Sequence, residues 1–235
     1  MAISRWWIIF LLLRSKVQRL GFPAKLGLVL ALALAVTGGL GAETLVRTIS
    51  PLNAVPPNPF LMAKGSLTPL DRARYLVHEN PSISLAVALN FSLMYQEEAQ
   101  AEGVNPDVAF AQMLLETHAL RFGGQVLATQ NNFAGIGALD GGNHGLTFLS
   151  PREGVRAQIQ HLKYYGGNAP LVHSPVNPRL IWIRRSCAQT IWQLAGTWAS
   201  DPQYGNKLNN ILNRMTNFAE KEPLVTVTHV FGGSG

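Results

Sequence analysis

Residues 105–122, NPDVAFAQMLLETHALRF, most limit what this chain can become, because a nearly all-apolar helix pattern there carries, beyond its first turn, one acid, Glu116. Asn105 can accept a backbone N–H as an N-cap, Pro106 suits the first helical position, and Asp107 lies where the helix dipole favours negative charge. Val108, Ala109, Phe110, Ala111, Met113, Leu114 and Leu115 then leave almost no polar face, so this helix must be surrounded by other elements. An acid in such a place is paired, protonated with a raised pKa, or open to a cleft, because burying an unpaired carboxylate is costly. Arg121 and Arg152 are candidate ion-pair partners, and at this level a structural ion pair and a functional acid both stand.

The flanking sequence predicts a mainly α domain over residues 68–220. Thr68 followed by Pro69 signals a helix start, and Pro81 bounds that helix. Residues 82–101 carry Ile83, Leu85, Ala86, Leu89, Leu93 and Met94 at mixed three and four spacing, with Gly103 as terminator. Residues 150–167 restart a helix with Ser150 as N-cap and Pro151 at its first position. Glu153 occupies the reciprocal capping-box position and so has a structural role. A Pro-rich connection over 168–178 leads to an expected helix at 188–198, whose Trp192 and Trp198 could serve as sugar platforms but, on an apolar helix, are expected to pack in the core. A last helix is expected over 201–220. Between the Glu116 helix and Ser150 lies FGGQVLATQNNFAGIGALDGGNHGLTF, whose glycines and asparagines imply tight turns. Phe133, Ile136, Leu146 and Phe148 would be misplaced in a solvated linker, which predicts a compact Gly-rich loop or hairpin lobe along a cleft.

The ends read differently. The first 42 residues hold Arg5, Arg14, Lys16, Arg19 and Lys25 and no acid, together with the apolar runs WWIIFLLL and LGLVLALALAV. That order predicts a signal peptide or an uncleaved membrane anchor over 1–42 that sends the rest of the chain out of the cytoplasm. Removing those five cations from the net charge of +6 leaves +1 for the remainder, so a nucleic-acid footprint is not indicated. Residues 43–67, with Pro51, Pro56, Pro57 and Pro59, read as a Pro-rich linker or an arm packed on the domain, and 221–235 as a loose tail. Cys187 is the single cysteine, which leaves no intramolecular disulfide and no cysteine-based zinc site. The six histidines lack metal-ligand spacing, and neither a metal nor an organic cofactor is implied.

Four blocks in order, FAQMLLET, QNNFAGIGA, SPREGVRAQIQHLKYY and LAGTWASDPQYGNKL, resemble the glucosaminidase family of peptidoglycan hydrolases, glycoside hydrolase family seventy-three. The resemblance covers residues 82–215. It implies a lysozyme-like helical fold and endo-acting cleavage of the β-1,4 bond after N-acetylglucosamine in peptidoglycan glycan strands. It places the catalytic acid on Glu116 and the Tyr of the D-P-x-Y block on Tyr204, across the cleft from Glu116. Asp140 is the one acid between Glu116 and Glu153, and so the candidate second carboxylate if the reaction uses one. The alternative is attack by the sugar's own 2-acetamido group, a recognised exception to the two-carboxylate rule. In the loop wall, Asn131 and Asn132 can bind acetamido or hydroxyl groups or cap turns, Phe133 can pack on a sugar face, and Gly135 is expected to line the substrate path. A lytic transglycosylase and a non-catalytic glycan-binding module are the competing readings.

Overall fold

The computed structural model describes residues 56–139 and 143–221, and the signal or anchor expected at 1–42 lies outside them. Among the described residues no helix is long and apolar enough to cross a membrane. The chain divides into two units, 1–54 and 55–235, and all described residues belong to the second.

Five α-helices form that unit: α1 (Pro69–Glu79), α2 (Leu85–Glu102), α3 (Pro106–Glu116), α4 (Pro151–Gly166) and α5 (Tyr204–Lys221). The local signals work as chemistry requires. Thr68 and Asp71 form a reciprocal capping box on α1, Ser84 caps α2, and Ser150 caps α4 while Glu153 Oε2 accepts from Leu149 N at 2.6 Å. Asn105 Oδ1 accepts from Asp107 N and Val108 N at the start of α3. Every α3 residue from Pro106 to Leu114 is buried, and the helix packs against α2, α4 and α5. The single main core runs through all five helices, with Tyr95, Phe110, Met113, Ile159, Leu208 and Leu212 fully or almost fully buried.

Residues 58–67, for which the sequence left both a linker and a packed arm open, are packed on the domain. Leu61 is fully buried, its N–H donates to Gln189 O, and its carbonyl accepts from Asn105 N at 2.8 Å. Asp107 binds the same strap: Oδ2 accepts from Ser66 N at 2.6 Å and Leu67 N at 3.1 Å, and Oδ1 pairs with buried Arg72 at 2.6 Å. The capping acid of α3 thus also fixes α1 and the strap, which supplies the partners that a buried ion pair requires.

Two expected helices end differently. α3 stops at Glu116 instead of continuing to 122. The Thr117 hydroxyl donates to Met113 O at 2.7 Å and accepts from Leu120 N at 2.8 Å, which diverts the backbone from the helical ladder. His118, Ala119 and Leu120 then take consecutive left-handed conformations (φ 52°, 54° and 60°), an uncommon state for non-glycine residues. Residues 188–198 form no α-helix. A 3₁₀ turn, Ile191–Leu194, is followed by a loop, and Gly196 there has φ 79°. Trp192 is consequently exposed rather than in the core.

The Gly-rich segment folds as a small lobe with a two-residue antiparallel ladder, Ala138–Leu139 with Asn143–His144, in the register Ala138 to His144. Ala134, Ile136 and Phe148 form a second apolar cluster with Ala157 of α4, which anchors the lobe.

Candidate active site

Because α3 stops at Glu116, the carboxyl leaves the core at the end of the helix and lines a hollow of about 510 Å³ with Gln125, Gly135, Trp198 and Asp201 among its walls. Burial pushes the Glu116 carboxyl above its ordinary range, and hydrogen bonds from Tyr204 and Trp198 pull it part of the way back. Neither arginine considered as a partner reaches it: Arg121 donates to Glu79 O and His118 O, and Arg152 pairs with Glu97 and Glu98.

Tyr204, the first residue of α5, does not stand across an open cleft. It is buried beside the acid, and its hydroxyl donates to Glu116 Oε1 at 2.5 Å. The same hydroxyl accepts from Gln112 Nε2 at 3.0 Å, one helical turn before Glu116. Gln112 Oε1 accepts from Gln158 Nε2 at 2.8 Å, and Gln158 Oε1 accepts from Tyr95 Oη at 2.6 Å. Tyr95 can only donate here, so each following donor is fixed and the chain Tyr95, Gln158, Gln112, Tyr204 ends on the Glu116 carboxyl. Burial, followed by the Glu116 charge and hydrogen bond, raises the Tyr204 phenol well above its ordinary pKa, and it stays a donor.

The other oxygen faces the lobe. Gly135 has φ 64°, and a Cβ there would come within 3.5 Å of Glu116 Oε2. Glycine at this position both permits the backbone turn and leaves Oε2 accessible from the cleft. The lobe approaches α4 closely too: a Cβ on Gly154 would fall 1.7 Å from Asn131 O.

The remaining loop residues support the wall from behind. Asn132 is fully buried, donates to Ile136 O and Leu146 O, and accepts from Ile136 N at 3.0 Å. Asn131 donates to Phe148 O at 2.9 Å. Phe133 is buried in an edge-on contact with Phe91, ring centroids 5.0 Å apart, so it offers no free face to a sugar. Among these four expected substrate contacts only Gly135 lines the hollow, because the tight turns need the asparagine amides and the lobe needs the phenyl ring. Asp140 lies outside the described residues.

Gln112, Gln158 and Tyr95 join the site without having been singled out in the sequence, and Trp198, expected in the core, stands beside the acid. Gln112 carried a signal, as the other polar side chain on the buried stretch of α3 beyond its first turn, whereas Trp198 was misplaced with its predicted helix. Trp198 instead separates the Glu116 hollow from a second one of about 520 Å³, and the two share Ala134, Gly135, Ala138 and Trp198. His161 lies 4.6 Å from Trp198 between ring centroids and is held neutral, its pKa lowered to about 3 by burial and then by Arg179. Among the described residues no group of three or more His, Cys, Asp or Glu is placed to hold a metal.

A mainly helical domain in which a carboxyl of raised pKa lines an open hollow suits glycosidase chemistry. Residues 92–217, more than half of the chain, match the glucosaminidase family, described as mannosyl-glycoprotein endo-beta-N-acetylglucosaminidase, and the chain belongs to that family. Membership places it among glycosidases that act on peptidoglycan. It is also 40% identical over 154 residues to an uncharacterized protein of Borreliella burgdorferi, an alignment that covers 66% of this chain and 76% of that protein.

Proposed function

We propose that the chain is an endo-acting β-N-acetylglucosaminidase that hydrolyses β-1,4 bonds of peptidoglycan glycan strands, with Glu116 as general acid. The observation that carries this reading is the Glu116 carboxyl itself, whose burial raises its pKa above the ordinary carboxylate range, yet which lines an open hollow with Oε2 beside Gly135. In the first step Oε2 gives its proton to the leaving O4 as the glycosidic bond breaks. The Glu116 carboxylate so formed accepts from Tyr204 and Trp198, which limits the cost of its charge, and it then takes a proton from the attacking water.

Among the described residues the other carboxylate lining this hollow is Asp201, which is committed to Lys207 Nζ at 2.6 Å. Asp140 lies outside the described residues and stays the alternative nucleophile; the reading we propose gives that role to the substrate's own 2-acetamido oxygen. It attacks the anomeric carbon as O4 leaves with the proton, and water opens the resulting oxazolinium with net retention. Tyr204 acts in this scheme by orienting Glu116. Delivery by residues 1–42 and an extracytoplasmic site of action complete the proposal.

Digestion of purified glycan strands by the full-length protein, followed by mass spectrometry, tests it. Reducing N-acetylglucosamine ends are expected. Anhydro-muramic ends identify a lytic transglycosylase, and no release across a range of pH identifies a glycan-binding module. Replacing Asp140 by Asn is expected to cost only a few-fold in rate, whereas a loss comparable to that of Glu116→Gln overturns substrate assistance.

A further inference from the structure

The two hollows of the cleft differ in charge. The one that holds Glu116 also contains Asp201, whereas the other is lined by Arg179 and Arg184 and, among the described residues, by no carboxylate. Both arginines are exposed. Arg179 lies along the lobe, with its Cδ 3.3 Å from where a Cβ on Gly137 would be and its guanidinium carbon 5.9 Å from the Trp182 ring centroid. Trp182 itself is 73% exposed, at the end of the 3₁₀ turn Pro178–Trp182, and so presents an uncovered aromatic face at the mouth of this hollow. His161, buried and neutral, adds no charge, so the positive character of the hollow comes from the two guanidinium groups.

The chemistry of the strand supplies a matching group. Cutting after N-acetylglucosamine leaves an N-acetylmuramoyl sugar on the leaving side, and the proton from Glu116 goes to O4 of that sugar. The adjacent O3 carries the lactyl group and, through it, the peptide stem with its free carboxylates. The stem must therefore leave the sugar close to Glu116. It cannot pass inward, where Tyr204, Gln112 and Gln158 fill the core. The arginine-lined hollow adjoins this one along Ala134, Gly135, Ala138 and Trp198, which line both.

We infer that the second hollow is a binding site for the peptide stem of the muramoyl sugar on the leaving side, with Arg179 and Arg184 receiving its carboxylates and Trp182 covering its apolar part. Guanidinium groups suit this role because their planar fork matches a carboxylate and stays charged at any working pH. The inference rests on the hydrolase reading, and it makes stem-bearing strands better substrates than bare ones.

The test compares stem-bearing glycan strands with the same strands stripped of peptide by an amidase, using the full-length protein. The wild type is expected to favour stem-bearing strands about tenfold in kcat/KM, equivalent to about 1.4 kcal/mol, mainly through KM. The double variant Arg179→Gln with Arg184→Gln is expected to bring that ratio close to one, and the double Glu variant to invert it. Raising ionic strength should narrow the wild-type preference, since the guanidinium groups are exposed. Equal wild-type activity on both strands, or a ratio unmoved in both double variants, overturns the inference. If the wild type cleaves neither strand, the hydrolase reading fails separately. Sedimentation binding of the Glu116→Gln protein to the two kinds of strand then decides the stem site, and equal retention of both overturns it.

Discussion

The Tyr204 hydroxyl lies 2.5 Å from Glu116 Oε1 and donates to it, although the two residues stand 88 positions apart in the chain. One carboxyl oxygen is thereby fixed from below by a buried phenol, and the other is left toward the cleft beside Gly135. Burial alone favours the protonated form of Glu116. The donors Tyr204 and Trp198 oppose that shift, and their balance suits a group that must give up a proton and later recover it.

Replacing Glu116 by Gln is expected to lower turnover by about 10²- to 10⁴-fold, the range associated with a positioned general acid. The stability effect has a definite sign. The folded state raises the pKa of Glu116 above its ordinary 4.5, so the stability linked to this group is complete below that value and is lost as pH rises through the raised one. Thermal melts should show Glu116→Gln gaining on the wild type as pH increases from 4 toward 8. A wild type that instead gains on the variant over this interval contradicts the raised pKa.

Tyr204→Phe removes a donor that lowers the Glu116 pKa, so that pKa should rise further. The alkaline limb of the kcat/KM profile, where the acid loses its proton, is expected to move to higher pH. Turnover at the optimum should fall by about 10²-fold, because Glu116 loses the contact that aims it. Gln112 Nε2 also loses its acceptor, at a cost of about 1–3 kcal/mol measurable by denaturant unfolding.

At the far end of the same hydrogen-bond chain, Tyr95→Phe leaves Gln158 Oε1 buried without its donor. Stability is expected to fall by about 1–3 kcal/mol. Three buried side chains separate Tyr95 from Glu116, so kcat should change by less than about threefold if their order is kept. Steady-state kinetics together with unfolding curves separates the two effects.

Gly154→Ala tests the seating of the lobe. A Cβ there would lie 1.7 Å from Asn131 O and 3.3 Å from Phe133 Cε2, so the loop must move away from α4. A loss of about 3 kcal/mol is expected, at the upper end of ordinary overpacking. Because the displaced loop carries Gly135, kcat/KM should fall with it, and a variant with wild-type melting and turnover would remove the lobe from the site.

Features whose causes lie within a few residues could be recognised from the chain alone. The caps at Thr68, Asn105 and Ser150, the terminator Gly103, the apolar pattern of α3 and the acid at its end were all legible, and with them the helical class and the family. Tertiary structure decided what those parts do to one another. Gln112 meets Tyr204 across 92 positions and Tyr95 meets Gln158 across 63, distances at which no periodicity or propensity carries information. The same reason explains the differences at Asn132, Phe133 and Trp198. Their residue types suited either core or cleft, and only the packing of the lobe on α4 turned the first two inward and left Trp198 beside Glu116. The acid could be found from its own helix, but its partners depend on three other helices and a loop closing around it.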